Sequence, residues 1–68
     1  MTPVEMAIKE FGSIRKLALA IHRDPAAIVR WKQRGGHIPT AVQRKLLNVA
    51  WDRGIQLSAH DIVFGDGK

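Results

Sequence analysis

The sequence contains no cysteine and no tyrosine, and its aromatic residues are two tryptophans and two phenylalanines. The absence of cysteine excludes disulfide bonds and thiolate metal sites, and it is typical of a cytoplasmic protein. No apolar run approaches the roughly 18 residues of a membrane-spanning helix. The N-terminal stretch carries acids within a periodic apolar pattern, which a signal peptide does not. We therefore expect neither a membrane span nor a signal peptide.

Long linkers, repeats and low-complexity segments are also absent, so nothing in the chain separates one folding unit from another. A chain of 68 residues can form one modest core, burying roughly 60% of the surface of its extended form. We expect a single domain over residues 1–65, followed by a frayed tail over 66–68.

Acidic residues are few, because six Asp and Glu stand against eleven Lys and Arg, for a net charge of +5. The excess is concentrated in residues 15–45, where Asp24 is the single acid among eight cations, a local balance of +7. Such clustering favours a polyanionic partner, and the alternative is a solvated basic surface. The eight cations are Arg15, Lys16, Arg23, Arg30, Lys32, Arg34, Arg44 and Lys45.

The first predicted helix begins with the signals of a capping box. Thr2 suits the N-cap, Pro3 the first helical position and Glu5 the third. Gly12 can then end the helix in a left-handed conformation. An apolar face at the i, i+3, i+4, i+7 spacing lies between these signals and predicts core scaffolding: Val4, Ala7, Ile8 and Phe11.

Residues 13–34 predict two more helices joined by a tight turn. Ser13 caps the first of them, and Asp24 with Pro25 begins the second. Only about three residues separate the helices, so they must meet at a steep angle, as in a helix-turn-helix. Their buried faces are expected to be Ile14, Leu17, Ala18 and Ile21 in the first, and Ile28 and Trp31 in the second. Trp31 is interpreted as a core anchor, and the alternative is a stacking platform for a base.

The C-terminal half predicts two further helices. Thr40 and Gln43 form a second capping box, and a fourth helix then runs to Gly54 with Val42, Leu46, Val49 and Ala50 on one face. Leu47 and Trp51 form a second stripe, which we interpret as more core, with self-association as the alternative. A link at 55–57 precedes a short fifth helix that begins at Ser58 and packs over the domain.

Four features of one segment carry a family resemblance: Leu17-Ala18, the turn at 21–24, Ile28 and the run from Trp31 to Gly35. This segment resembles the helix-turn-helix of the phage Cro/cI repressor-like DNA-binding proteins. Ile38-Pro39 and the following helix are similar to the small Cro-like and YdaS-like members. The resemblance covers roughly residues 4–64. It departs at His22, where the family often has glycine, and in the apolar start of the second helix of the pair.

The resemblance implies an all-α, lambda-repressor-like bundle of about five short helices. It also implies a sequence-selective, double-stranded DNA-binding transcriptional regulator of phage or prophage origin. Such a protein acts in the bacterial cytoplasm or nucleoid, and it pairs on half-sites about one helical turn apart as a homodimer, at least on DNA. The candidates for the dimer contact are Leu47, Trp51, Ile62 and Phe64.

A recognition helix over about 25–34 assigns separate roles to its residues. Steps of 100° place one set of residues opposite Ile28 and Trp31, where they face the major groove. These candidate base-reading residues are Ala26, Val29, Arg30 and Gln33, with Arg30 suited to guanine and Gln33 to adenine. The candidate phosphate contacts lie nearer the helix ends and loops: Arg15, Lys16, Arg23, Lys32, Arg34 and Arg44.

Catalytic constellations are lacking. The three histidines are far apart and none has the i, i+4 partner of a helical metal pair. Ser58, His60 and Asp61 are too close along one segment to act as nucleophile, base and orienting acid. We therefore expect no enzyme, no metal and no cofactor.

The apolar Ala26/Val29 face leaves a second class of function open, namely an antitoxin-like or structural protein-interaction domain with a drifted helix-turn-helix. A nonspecific nucleic-acid binder is the intermediate alternative between this class and a sequence-selective regulator.

Overall fold

The computed structural model describes residues 2–65, and the frayed tail expected at 66–68 lies outside them. Five α-helices and no strand occur in the described part, which confirms the predicted all-α class. They are α1 Pro3–Phe11, α2 Ile14–Ile21, α3 Pro25–Gln33, α4 Thr40–Asp52 and α5 Ala59–Phe64. None of these helices is long and apolar enough to cross a membrane.

Four of the five helices begin at the predicted side-chain caps. The Thr2 and Ser58 hydroxyls accept the backbone N–H groups of Glu5 and Asp61, whose carboxylates accept the Thr2 and Ser58 N–H groups in return. Ser13 accepts the N–H of Lys16 at 3.1 Å, and Asp24 accepts the N–H of Ala26 at 2.9 Å. Each cap satisfies backbone donors that have no partner within the helix.

The capping box predicted at Thr40 is wrong. Pro39 is the N-cap, and its carbonyl oxygen accepts the N–H groups of Val42 and Gln43. Thr40 is therefore already the first helical residue, and its hydroxyl caps no backbone N–H. The Gln43 amide instead donates to the Ile38 carbonyl oxygen at 3.0 Å, which ties the helix to the extended segment before it.

The core lies where the apolar faces of the helices meet. α2 contacts α1, α3 and α4, while α5 packs against α1 and α4. Leu17 and Ile21 of α2, Ile28 of α3 and Leu46 of α4 are almost completely buried. Val4, Ala7 and Phe11 cover them from α1, as their spacing predicts. Trp31 is half-buried and packs against this core, which agrees with its interpretation as a core anchor.

The second stripe of α4 is only half covered. Leu47 is partly buried and packs against the core, but Trp51 is 71% exposed. The interpretation of Trp51 as core is therefore wrong, because among residues 2–65 no helix covers the indole at the last turn of α4. Ile62 is 2% exposed, so this candidate for the dimer contact belongs to the core instead. Phe64 is exposed, and its ring lies 5.0 Å from that of His60.

Candidate nucleic-acid interface

The connection between α2 and α3 is set by His22, which adopts the left-handed conformation with φ 56° and ψ 46°. Its N–H donates to the Leu19 carbonyl oxygen, and the Arg23 N–H donates to that of Ala18 at 2.9 Å. This pair of bonds is the Schellman arrangement, which satisfies the last carbonyls of a helix and reverses the chain. Asp24 then begins α3 at once, so three residues turn the chain from one helix into the next.

The packing of α3 decides which of its sides is free. Ile28 is completely buried, and α3 contacts α1 and α2 but neither α4 nor α5 within the described chain. The side opposite Ile28 therefore has no covering helix. All four candidate base-reading residues lie on that side and are exposed: Ala26, Val29, Arg30 and Gln33.

This free side has an apolar beginning and a polar end. Ala26 and Val29 carry no hydrogen-bonding groups, and Val29 is 37% exposed. Arg30 and Gln33 stand beside them and toward the C-terminus, where their long side chains have room to extend. The surface can therefore combine van der Waals contact with hydrogen bonding to a planar edge, such as that of a base.

The candidate phosphate-binding cations are all exposed, but they do not form one cluster. Arg15 and Lys16 lie in the first turn of α2, and Arg23 lies in the connection to α3. Lys32 and Arg34 lie at the end of α3. Arg44 lies on α4, which does not contact α3, and it lines an apolar cavity with Leu47 and Val63.

Lys32 has a neighbour that its position in the sequence does not reveal. The Glu5 carboxylate accepts the backbone N–H and the hydroxyl of Thr2, both at 3.0 Å, and these hydrogen bonds lower its pKa below the usual 4.5. The positive charge of Lys32 lowers the pKa of Glu5 further. Lys32 therefore lies on the side of α3 that faces α1, apart from the free side that carries Arg30.

Leu19 is a surface feature that the sequence reasoning missed. It is 71% exposed on the outer face of α2. Arg15 and Lys16 precede it by one helical turn on the same helix. The signal was present, since a residue with cations at i−4 and i−3 shares the solvated face of its helix.

No residues of the described chain form a metal centre, because no three His, Asp or Glu side chains there are grouped closely enough to hold an ion. The histidines lie in the connection after α2, the segment before α4 and the first turn of α5. The chain matches no family model, no curated protein and no solved structure. Its function must therefore be inferred from the geometry and charge of its own surfaces.

Proposed function

We propose that the protein binds double-stranded DNA as a sequence-selective transcriptional regulator, in the manner of the Cro/cI-like proteins that its α2–α3 segment resembles. α2 and α3 act as a helix-turn-helix, and α3 enters the major groove as the recognition helix. The observation that carries the proposal is the uncovered side of α3, where Arg30 and Gln33 stand opposite the buried Ile28.

The base-reading roles follow from the side chains on that uncovered side. The Arg30 guanidinium presents a planar pair of donors that matches the O6 and N7 acceptors of guanine, and the Gln33 amide matches adenine. Ala26 and Val29 contact thymine methyl groups. Because these two side chains are short, they also allow the backbone of α3 to approach the base edges closely.

The phosphate backbone supplies a further, sequence-independent part of the binding energy. Arg15 and Lys16 lie in the first turn of α2, where the helix dipole disfavours cations unless an anion docks there. Arg23 and Arg34 stand at the two ends of the recognition helix, in positions suited to the flanking phosphates. Each contact of this kind releases a counterion and steepens the salt dependence of binding.

A single short helix reads only a few base pairs, so the operator-bound form is a homodimer on half-sites about 34 Å apart. The protein then acts in the cytoplasm or nucleoid of a bacterial host, where its target is accessible.

The proposal is tested by selecting sites from a random double-stranded library and titrating the enriched site against a scrambled one in gel shifts at several salt concentrations. We expect the enriched site to bind at least about 10³-fold more tightly than the scrambled one at physiological salt. Equal, strongly salt-dependent binding to both would identify a nonspecific nucleic-acid binder instead. No salt-sensitive binding at all would exclude both nucleic-acid functions and favour a protein-interaction domain that uses the apolar Ala26/Val29 face.

A further inference from the structure

We propose that the cavity between α4 and α5 binds a small molecule that has an apolar body and one carboxylate, which the Arg44 guanidinium holds at the rim. This site is separate from the candidate nucleic-acid interface, because α3 contacts neither α4 nor α5 within the described chain. The binding therefore does not depend on the proposed DNA-binding function. Arg44 is also the one candidate phosphate contact that lies outside the α2–α3 segment and its ends.

The cavity has apolar walls and a volume of about 210 Å³. Leu47 of α4 and Ala59, Ile62 and Val63 of α5 line it. Ile62 is almost completely buried and lies at the bottom, whereas Ala59 and Val63 are exposed and lie at the mouth. An apolar cavity of about 150 Å³ is enough to hold benzene. This cavity therefore has room for a ring or a short chain of about six carbon atoms.

The charge at the rim selects an anion. Among the described residues that line this cavity, Arg44 alone is charged, and it is exposed to solvent. The other polar residue there is Gln43, whose side-chain amide donates to the Ile38 carbonyl oxygen at 3.0 Å and is held in place by that bond. The guanidinium is thus the principal donor for a ligand. Its planar N–H groups match a carboxylate through two parallel hydrogen bonds.

The neighbouring cavities determine which way the ligand lies. On one side, Arg44 also lines a further cavity with Thr40, so a carboxylate there keeps contact with water and the cost of desolvation is small. On the other side, Asp61 lines an adjoining cavity of about 470 Å³ that shares Leu47. The Asp61 carboxylate accepts the Ser58 N–H at 3.1 Å in the cap of α5, and its charge repels a second carboxylate. The ligand therefore directs its carboxylate to Arg44 and its apolar body to Leu47.

We expect weak binding. The cavity is smaller than the roughly 300–1,000 Å³ of most ligand pockets, and its open mouth covers only part of the ligand. For a ligand of about ten non-hydrogen atoms, these features correspond to a Kd of about 0.1–1 mM.

Phenylacetate is a suitable probe, because its ring is of the size that the cavity holds and its carboxylate is joined by a single methylene. Amide NMR spectra of the isotopically labelled full chain are recorded while phenylacetate is added to about 10 mM. We expect saturable shifts at the amides of Leu47, Ala59 and Val63. Absence of saturation at these amides overturns the proposal, as do shifts confined to the basic surface of α2 and α3.

A matched pair of variants tests the role of the guanidinium. Arg44→Gln is expected to weaken phenylacetate binding about 5- to 10-fold. Lys45→Gln removes the same charge from the next exposed position of α4, outside the cavity wall, and is expected to change the affinity by less than about 2-fold. Phenylacetamide, which lacks the negative charge, should bind wild type more weakly and be insensitive to Arg44→Gln. Equal effects of the two variants on phenylacetate would mean that Arg44 does not hold the carboxylate.

A second pair tests the apolar wall. Val63→Asp places a carboxylate in the cavity and is expected to abolish detectable binding, whereas Phe64→Asp adds the same charge to α5 outside the cavity wall and should retain it. Circular dichroism checks that each variant is folded. Undiminished binding by a folded Val63→Asp variant overturns the proposed site. A chain that binds phenylacetate in this cavity but binds no DNA would leave this inference standing and overturn the DNA-binding proposal alone.

Discussion

The backbone N–H of Val4 in α1 donates to the carbonyl oxygen of Gly36, 32 residues later, at 3.0 Å. Gly36 is buried with φ 80°, and its own N–H donates to the Trp31 carbonyl oxygen at 2.8 Å. The start of the first helix is thereby joined to the end of α3. A side chain at Gly36 would occupy the space that Thr2 fills.

Gly36→Ala is expected to lower the free energy of unfolding by about 1–3 kcal/mol, because it combines an unfavourable positive φ with overlap against Thr2. Gly54→Ala is the matched control, since Gly54 has φ 68° and open space around it. Urea unfolding of both variants makes the measurement. An equal loss in the two variants would show that backbone strain accounts for the whole effect and that the contact with Thr2 matters little.

His22→Gly is expected to raise the free energy of unfolding by about 0.5–1 kcal/mol. Histidine at φ 56° occupies a region that glycine reaches without strain from a Cβ atom. The gain is below the full strain because glycine also increases the entropy of the unfolded chain. His22→Ala, which keeps the Cβ atom, is expected to give no such gain. Thermal unfolding decides between these outcomes, and a variant with glycine less stable than wild type would contradict the prediction.

The contribution of Glu5 to stability is expected to disappear in acid. Its pKa is lowered in the folded protein, first by the Thr2 N–H, then by the Thr2 hydroxyl, with Lys32 adding to the effect. The ionised form therefore stabilises the fold above the unfolded pKa of 4.5, and this stabilisation is lost as the pH falls through the lower folded value. The measurement is urea unfolding of wild type and Glu5→Gln from about pH 7 to pH 3.

The difference in stability between wild type and Glu5→Gln should be constant near neutrality and should shrink below pH 4.5. Glu10→Gln removes the same charge from the exposed side of α1 without touching the cap, and it serves as the control. If the Glu5→Gln difference is the same at every pH, the capping carboxylate is not the titrating group.

Arg30→Ala is expected to cost about 1–3 kcal/mol of binding free energy on the selected site and to relax the preference at one base position. Arg15→Ala, on the outer face of α2, should instead weaken all DNA sequences alike and lower the salt slope by about 1. Fluorescence anisotropy titrations on single-base variants of the site separate the two outcomes. A uniform loss after Arg30→Ala would mean that Arg30 contacts a phosphate rather than a base.

Four of the five helix starts and most of the core were predictable because both depend on residues close together in the sequence. A cap joins a side chain to an N–H two or three positions away, as at Thr2, Ser13, Asp24 and Ser58. A buried face follows from the 3.6-residue repeat, as for Leu17 and the other core residues of α2. The exposure of Arg30 was predictable for the same reason, since it lies opposite Ile28 on one short helix.

The remaining features were decided by tertiary structure, because each depends on what a distant segment covers or contacts. Periodicity places Leu47 and Trp51 on one side of α4, but only the position of α5 leaves the indole exposed. The close approach of Gly36 to Thr2 requires the end of α3 to reach the start of α1. Glu5 lies in α1 and Lys32 in α3, with the whole of α2 between them in the sequence. Their electrostatic interaction therefore exists only when α1 and α3 pack together.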